Sequence, residues 1–469
     1  MSTIPLKRVL FVSYLFPPVG GVGVHRVTKF VKYLPAHGWH SSVLTVANPS
    51  VPLIDDSLTH DIPPGTIIRH ARTLEPGYGL KRAVAGGSRE SRGLVGSAVS
   101  GLKGLARNVA NTVLQPDAQV LWRPAAVREG LALLRDVRHD AIIATGPPFS
   151  SFWLGATLSA RSRLPLILDY RDEWDISNAY WENKRQGWCA RRFQQWLQAH
   201  CARAADCLLA TTPASADALA DVARNAGSDA RTASIYNGFD PDDFSDQTRP
   251  VREDFGNGTS RFRMSFVGTL WNLNSIEPLV KAIEQLANRN PHLLDELELV
   301  CAGRRTDAQE ALLDRLTDTP CHVVRLPFVD HTRATELMAT ADSLLLLNAD
   351  RPQTHRIINA KTFEYMAARR PMFVIAPEGD LWDVVRDLPG TVLCRPNDTS
   401  SIAEALAHEL ERHRCGINYD DAVWDISRFE RRELAGELAG LLDEVVISRV
   451  TSRLCLAGSA SANHGTELP

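Results

Sequence analysis

The sequence predicts an α/β protein of two domains, each a parallel β-sheet with helices on both faces. Three observations point to this fold class. The chain has 469 residues, enough for two or three domains at about 150 residues each. Apolar strand-like segments alternate with helical segments in both halves, as in parallel sheets. Between the halves, a segment that begins at Asn237 is rich in Pro and Gly, which is typical of a connector.

The first half opens with a strand predicted over Arg8–Tyr14 and a helix predicted over Val24–Ala36, whose apolar residues recur at helical spacing. Its further strands are predicted at Ser41–Val46, Ala141–Thr145, Leu166–Tyr170, Cys207–Ala210 and Ser234–Tyr236. In the second half, the predicted strands are Phe262–Val267, Leu297–Cys301, His322–Arg325, Ser343–Leu347, Met372–Ile375 and Thr391–Cys394. Helices are predicted between them, for example over Ser275–Ala287 and Thr332–Ala339.

These elements divide the chain into a Rossmann-like domain over 1–240, a linker over 241–260 and a second Rossmann-like domain over 261–425. A last helix is expected within 426–447, and the Ser-, Ala- and Gly-rich residues 448–469 are expected to form a disordered tail. We expect the two domains to face each other across a cleft, because ligands bind outside the carboxyl ends of parallel strands.

An insert at 79–115 does not fit the alternation of strands and helices. It is rich in Gly, Ser and Ala, and between 81 and 107 a single acid, Glu90, faces six basic residues: Lys81, Arg82, Arg89, Arg92, Lys103 and Arg107. One interpretation is a flexible, solvated basic loop with one short helix. The other is an amphipathic segment that makes weak contact with an anionic membrane surface.

Composition excludes several classes of protein. The chain is 44% hydrophobic and 23% charged with a formal net charge of −3, whereas a protein built around nucleic acid normally has a basic excess. Its eight cysteines form no C-x-x-C pair, and no short-spaced cluster of metal ligands is present, so we expect free thiols and no metal. No apolar run reaches the roughly 18 residues of a membrane helix, and the amino terminus lacks a signal-peptide cleavage pattern. We therefore predict a cytoplasmic protein.

The glycine-rich loop of residues 16–23 directly follows the first strand and opens a helix. Without side chains at Gly20, Gly21 and Gly23, backbone N–H groups and the helix N-terminus can approach an anion or a sugar. The spacing is not G-x-G-x-x-G, so a dinucleotide site is poorly supported, and a tight strand-to-helix turn is an equally good interpretation.

Charged residues follow the predicted strand Leu166–Tyr170. We expect Asp169 or Asp172 to accept hydrogen bonds from substrate hydroxyls while Arg171 orients them; the alternative is an ion-pair network between Arg171 and the aspartates that holds the loop. The loop that follows Ala141–Thr145 offers Ser150, a substrate contact or simply a helix N-cap.

A fourth cluster starts a helix at Asn359 in the second half. Free N–H donors of this helix could bind a pyrophosphate, with Lys361 near the phosphates and Glu364 accepting hydrogen bonds from two ribose hydroxyls. The alternative is a surface Lys361–Glu364 pair at i,i+3, which contributes only a few tenths of a kcal/mol.

These motifs, in this order over roughly residues 8–445, resemble bacterial family-4-like glycosyltransferases of the GT-B fold. The resemblance also rests on the segments 236–240, with Asp243 and Phe244, and 267–269, which includes Gly268. It implies transfer of a sugar, with retention, from a nucleotide-sugar donor to a glycan or lipid-linked acceptor in bacterial polysaccharide or glycolipid synthesis. The second domain would hold the nucleotide through Glu364, and the first domain would hold the acceptor. The last helix would cross back to the first domain, and no metal or cofactor would be needed.

Three positions depart from the family pattern. A second glutamate, eight residues before the one that matches Glu364, is Arg356 here, and Phe152 replaces a common histidine. No Arg/Lys phosphate clamp follows the first strand of the second domain, so we expect Arg356, Arg304 or Lys361 to take its place against the diphosphate. Two other functions stay open: a non-catalytic sugar-nucleotide-binding partner in a polysaccharide-assembly complex, and a nucleotide-sugar epimerase.

Overall fold

The structure is a computed structural model that describes residues 6–79, 114–180, 187–244, 251–256, 261–417, 419 and 422–462. The basic segment 81–107 and the last seven residues of the predicted tail, 463–469, lie outside the described residues. The chain divides into two compact units. The first comprises residues 1–236 together with 431–469, and the second comprises residues 237–430.

The first unit contains a seven-stranded parallel sheet. Its strands are β1 (Lys7–Val12), β2 (Trp39–Val46), β3 (Ile67–Ala71), β4 (Ala141–Gly146), β5 (Leu166–Tyr170), β6 (Cys207–Ala210) and β7 (Arg231–Ser234), in the order β3-β2-β1-β4-β5-β6-β7. Every residue of β4, β5 and β6 is buried, as expected for strands that are covered on both faces. The strand order reverses between β1 and β4, and this is where a doubly wound sheet opens a crevice.

Six helices connect these strands within the part of the chain that the structure describes. They are α1 (Val22–Tyr33), α2 (Arg123–Asp136), α3 (Ser150–Ser162), α4 (Trp174–Tyr180), α5 (Trp188–Ala204) and α6 (Pro213–Ala226). The C-terminal helix, Arg431–Ala462, belongs to the same unit: it packs on α1 and buries Leu434, Leu438 and Leu442, which recur every four residues. The predicted return of the last helix to the first unit is therefore confirmed.

This C-terminal helix is longer than predicted. Residues 448–462 continue it, although the sequence assigned them to a disordered tail. The Ser and Gly content of this segment suggested disorder, but it also contains several Ala and Leu residues, which are the strongest helix formers.

The second unit contains a six-stranded parallel sheet of the same winding. Its strands are β8 (Phe262–Val267), β9 (Leu297–Ala302), β10 (His322–Leu326), β11 (Ser343–Leu347), β12 (Met372–Ile375) and β13 (Val392–Cys394), in the order β10-β9-β8-β11-β12-β13. Its helices are α7 (Glu277–Arg289), α8 (Pro291–Leu294), α9 (Asp307–Asp314), α10 (His331–Ala339), α11 (Ala360–Ala367), α12 (Asp380–Val385) and α13 (Thr399–Arg414). The reversal of strand order lies between β8 and β11.

The predicted fold class is confirmed, and the errors in strand position fall on the two edges of the first sheet. The sequence predicted no strand at β3, and it predicted Ser234–Tyr236 where β7 runs over Arg231–Ser234. Both edge strands are half-buried and carry polar residues, so they lack the continuous apolar run by which a central strand is recognised. No described helix combines the length and the hydropathy required to span a lipid bilayer.

Candidate functional site

In the first unit, Arg171 ties together the loops that follow β1 and β4. Its side chain donates to the carbonyl oxygens of Gly23, in the first turn of α1, and of Pro147, in the loop after β4. A Cβ atom at position 23 would collide with this guanidinium group and would lie 2.8 Å from Leu15 Cδ1, so a larger residue would require both side chains to shift. Arg171 is thus used to position two loops at the carboxyl edge of the sheet.

The other two glycines of the loop have different surroundings. Gly20 donates its N–H to the carbonyl of Leu53 at 3.1 Å, and a Cβ on it would lie 2.7 Å from Leu53 Cγ. Gly21 is exposed and adopts a left-handed φ of 103°, which sets the direction of the chain as it enters α1. The glycine loop is therefore both a tight strand-to-helix turn and an accessible backbone surface.

Asp169 lies in a buried ion pair whose partner the sequence analysis missed. Arg26, on α1, contacts Asp169 with its Nε 3.0 Å from Oδ1, and both side chains are only 2% exposed. Thr145 Oγ1 donates to the second carboxylate oxygen at 3.0 Å. The alternative interpretation, an ion-pair network between Arg171 and the aspartates, is therefore wrong for Asp169, because Arg171 donates to carbonyl groups and Asp169 pairs with Arg26. A single arginine on the apolar face of α1, among Val27 and Phe30, was the signal that could have revealed it.

Asp172 and Ser150 occupy opposite environments. Asp172 is exposed beyond the end of β5, where its carboxylate can meet a ligand. Ser150 is 2% exposed and is the first residue of α3 rather than its N-cap, which is Phe149. The Ser150 N–H donates to Asp117 at 3.0 Å, whereas its hydroxyl has no hydrogen-bond partner among the residues that the structure describes. The N-cap interpretation of Ser150 is therefore wrong.

In the second unit, α11 is fixed beside the reversal of strand order. The hydroxyl oxygen of the buried Tyr365 accepts from the N–H of Val267, the last residue of β8, at 2.9 Å. Burial raises the pKa of this hydroxyl, so it stays protonated. Two amides hold the segment before the helix: Asn348 donates to Ile357 O at 2.9 Å, and Asn359 donates to Leu347 O at 3.1 Å. The N-terminus of α11 is consequently held at the carboxyl edge of the sheet.

Lys361 and Glu364 lie on the exposed side of this helix. Their side chains form an i,i+3 ion pair, and about a quarter of each remains exposed, 28% for Lys361 and 25% for Glu364. The alternative interpretation, a Lys361–Glu364 pair, is therefore what the structure contains. Both groups also remain accessible at the helix that the sequence analysis selected.

Two arginines follow β9, and they differ in what their side chains contact. Arg305 donates to the carbonyls of Cys301, Gly303 and Leu326 and thereby holds the loop. Arg304 is exposed, with its Cζ 5.6 Å from the centre of the Phe328 ring. Arg304 is thus the cation of this loop that is free to meet a ligand.

The backbone of Gly268 packs directly against Gly303, a glycine that the sequence analysis did not single out. Gly303 adopts a φ of 130°, and a Cβ on it would overlap the carbonyl oxygen of Gly268. Gly268 in turn donates to Ala302 O at 2.9 Å. The loops after β8 and β9 therefore run in direct contact, with no room for a side chain between them.

Arg356 ends a short 3-10 turn, Thr354–Arg356, that precedes α11. The side chain is half-buried. The loop after β12 packs on this turn, since a Cβ on Gly379 would overlap His355 O. Within the second unit, the segments after β8, β9 and β11 therefore carry the predicted residues Gly268, Arg304, Arg356, Asn359, Lys361 and Glu364.

The fold agrees with that of the proteins to which the chain is similar. Residues 20–238 match the model of a glycosyl transferase 4-like domain, and residues 261–412 match that of glycosyl transferases group 1. No curated protein sequence matches the chain.

Among solved structures, HepE from Anabaena in complex with UDP and glucose is 16% identical, with a TM-score of 0.54 over 96% of this chain and 100% of that one. Trehalose-6-phosphate synthase OtsA is 15% identical, with a TM-score of 0.56 over 93% and 99%. WaaG, a glycosyltransferase involved in lipopolysaccharide biosynthesis, is 15% identical, with a TM-score of 0.53 over 92% and 99%.

Proposed function

The chain belongs to the family-4-like glycosyltransferases of the GT-B fold, and on this premise we propose that it moves a sugar from a nucleotide-sugar donor to a glycan or lipid-linked acceptor, with retention. The observation that carries the proposal is the anchored N-terminus of α11 with Lys361 and Glu364 on its accessible side. The proposed setting is bacterial polysaccharide or glycolipid synthesis.

The second unit is the proposed donor site. Helix N-termini attract anions because their first N–H groups are unpaired and point outward. In our proposal the nucleotide diphosphate lies against this end of α11, close to Lys361, and Glu364 accepts hydrogen bonds from the two ribose hydroxyls. The Lys361–Glu364 pair would then open, each partner exchanging the other for a group of the ligand. Arg304 and Arg356 supply the further positive charge that the diphosphate requires.

The first unit is the proposed acceptor site. Its exposed carboxylate, Asp172, is suited to accept hydrogen bonds from acceptor hydroxyls. Arg171 acts on the acceptor indirectly in this proposal, because its guanidinium group holds the loops that contain Gly23 and Pro147. A contact between the exposed backbone of Gly21 and the donor phosphates and sugar stays a prediction of the sequence. Direct substrate contacts of Ser150 and Asp169 remain predictions, since both side chains are buried.

The proposed reaction breaks the bond between the anomeric carbon and the diphosphate oxygen and forms a bond from that carbon to the acceptor oxygen. The acceptor proton passes to the departing phosphate on the same face of the sugar, so no separate protein base is needed. Negative charge develops on the leaving diphosphate, and fixed cations and helix N–H groups near it lower the barrier. Independence of metal and cofactor, and a cytoplasmic location, stay predictions of the sequence; unchanged turnover in EDTA would support the first of these.

Calorimetry with UDP, GDP and dTDP tests the donor site, and UDP is the first probe because HepE was solved with it. A hydrogen bond to a charged group contributes about 1.5–3 kcal/mol, so Glu364→Gln should raise Kd roughly 10- to 150-fold. The matched control is Glu404→Gln, which removes an exposed carboxylate from α13 of the same unit and should leave Kd unchanged. Equal Kd values for the Glu364 variant and the parent protein would show that the site assignment is wrong.

Turnover separates the proposed function from its alternatives. Arg356 stands where relatives have a second glutamate, and this favours a non-catalytic sugar-nucleotide-binding partner as the second candidate. Incubation of the protein with the matching nucleotide sugar and an acceptor extract should release nucleoside diphosphate and glycosylate the acceptor. Tight nucleotide binding without turnover would indicate the binding partner, and an isomerised sugar formed from donor alone would indicate an epimerase.

A further inference from the structure

The first unit has a basic face with exposed tryptophans that takes no part in the proposed chemistry. Helix α5 contains three arginines and no acidic residue, and the adjoining α3 with its C-cap contains two arginines and no acidic residue. We call this surface the arginine–tryptophan face, and its residues are Arg161, Arg163, Trp188, Arg192, Trp196 and Arg203. This local excess of positive charge stands against a net charge of −3 for the whole chain.

The exposed side of α5 explains how these residues come together. One side of the helix carries residues whose successive positions are one, three or four apart: 188, 192, 195, 196, 199 and 203. The opposite side buries Ala190, Gln194, Leu197 and Cys201 against the core. Trp188 is 70% exposed and Trp196 is 52% exposed, whereas every other tryptophan among the described residues is buried or half-buried.

The side chain of Trp196 is held in place by packing against neighbouring rings. The Trp196 ring lies 5.6 Å from that of Phe193 and stacks on His200 at 5.5 Å, measured between ring centres. Phe193 in turn contacts Trp153 of α3, whose ring lies 4.0 Å beneath Arg123 Cζ. A row of rings therefore connects the two helices and presents Trp196 to solvent in a fixed position.

A groove next to the face extends it with apolar surface. The groove has a volume of about 710 Å³ and lies between α2 and the end of α3. Leu131, Leu134 and Leu164 form its apolar wall. Four arginines line it as well: Arg128, Arg135, Arg138 and Arg161. Neither Arg161 nor Arg192 has a carboxylate partner within the part of the chain that the structure describes, so both charges are available.

We propose that the arginine–tryptophan face docks on the surface of an anionic phospholipid membrane. Arginines attract the negative lipid surface, and tryptophan rings prefer the boundary between headgroups and acyl chains, so this combination matches a lipid surface better than an acidic protein. Arg161 and Leu164 precede β5, and Arg203 precedes β6, which places this end of the face at the amino ends of the strands. The loops with Gly23 and Asp172 leave the opposite, carboxyl edge of the sheet.

Flotation with vesicles tests the proposal directly. The full-length protein should float with vesicles of phosphatidylcholine and phosphatidylglycerol, much less with phosphatidylcholine alone, and less as salt concentration rises. The double variant Arg161→Gln/Arg192→Gln should lower the partition coefficient about 30-fold, since each basic residue near an anionic surface contributes roughly a factor of five. Trp196→Ser should weaken the binding that persists in high salt.

The matched control is Arg386→Gln/Arg414→Gln, which removes the same charge from exposed positions of the second unit and should float like the parent protein. A parent protein that floats with neither vesicle, or equally with both, overturns the proposal. So does a face variant that floats like the control. A third variant with the six basic residues between 81 and 107 neutralised identifies the rival site: if it alone loses flotation, the insert and not this face binds lipid.

Discussion

Replacing Asp169 by asparagine should destabilise the first unit far more than the same replacement at Asp172. Arg26 and Asp169 are each 2% exposed, and the carboxylate also accepts from Thr145, so the substitution leaves a buried guanidinium charge without its counter-charge. Removing one partner of a buried ion pair costs about 3–5 kcal/mol. In a domain of this size, 1 kcal/mol lowers Tm by roughly 2–4 °C, so we expect a loss of roughly 6–20 °C.

Thermal and urea unfolding, followed by circular dichroism, measure this loss. Asp172 is the matched control because it is exposed three positions away, and Asp172→Asn should change the free energy of unfolding by less than about 0.5 kcal/mol. Arg26→Met should also destabilise the unit, and combining it with Asp169→Asn should cost less than the sum of the two single changes. If Asp169→Asn unfolds within about 2 °C of the parent protein, the buried pair does not hold this unit together.

Two further predictions concern backbone geometry and pH. Gly303→Ala should destabilise the second unit by more than about 2 kcal/mol in urea unfolding, because its Cβ would overlap Gly268 O at a left-handed φ. The control Gly416→Ala has a φ of 72° and open space around it, so it should lose only about 1 kcal/mol. Equal losses for the two variants would show that the contact with Gly268 is unimportant. Burial lowers the pKa of His139, so its neutral form contributes stability that is fully present above about pH 6.5 and is lost as pH falls below that value. His139→Gln should flatten this loss in urea unfolding at a series of pH values, and the exposed His60→Gln should not; identical pH profiles for His139→Gln and the parent protein would contradict the assignment.

Central strands were the most predictable elements of the fold. Leu166–Tyr170, Phe262–Val267 and Ser343–Leu347 lie where the sequence placed them, because a strand buried on both faces is a short apolar run. Edge strands have one side open to polar residues, so β3 lacks the short apolar run that identifies a central strand. Helix ends were less certain, since the C-terminal helix continues through Ser- and Gly-containing sequence as far as Ala462.

The site residues were predictable by position more than by partner. Strand-to-helix segments could be found from the alternation of apolar runs, so the residues around Asp169 and Glu364 were placed at carboxyl edges of the two sheets. The arginine on the apolar face of α1 indicates a buried charge, but it does not identify Asp169 as the partner, because Arg26 is 143 positions away and only the folded sheet brings them together. The same holds for Arg171, whose contact with Gly23 joins segments that are far apart in sequence.

The strength of each existing ion pair indicates which charged residues can serve a ligand. Arg26 and Asp169 are buried, and separating them would leave two uncompensated charges at a cost of several kcal/mol, which no weakly bound hydroxyl can offset. Lys361 and Glu364 are a quarter exposed and paired at i,i+3, an interaction of a few tenths of a kcal/mol. A nucleotide that offers a diphosphate to one and ribose hydroxyls to the other replaces this pair with stronger hydrogen bonds to both. The weaker of the two pairs is therefore the one at which we expect a ligand to bind, and the stronger one holds α1 against β5 within the first unit.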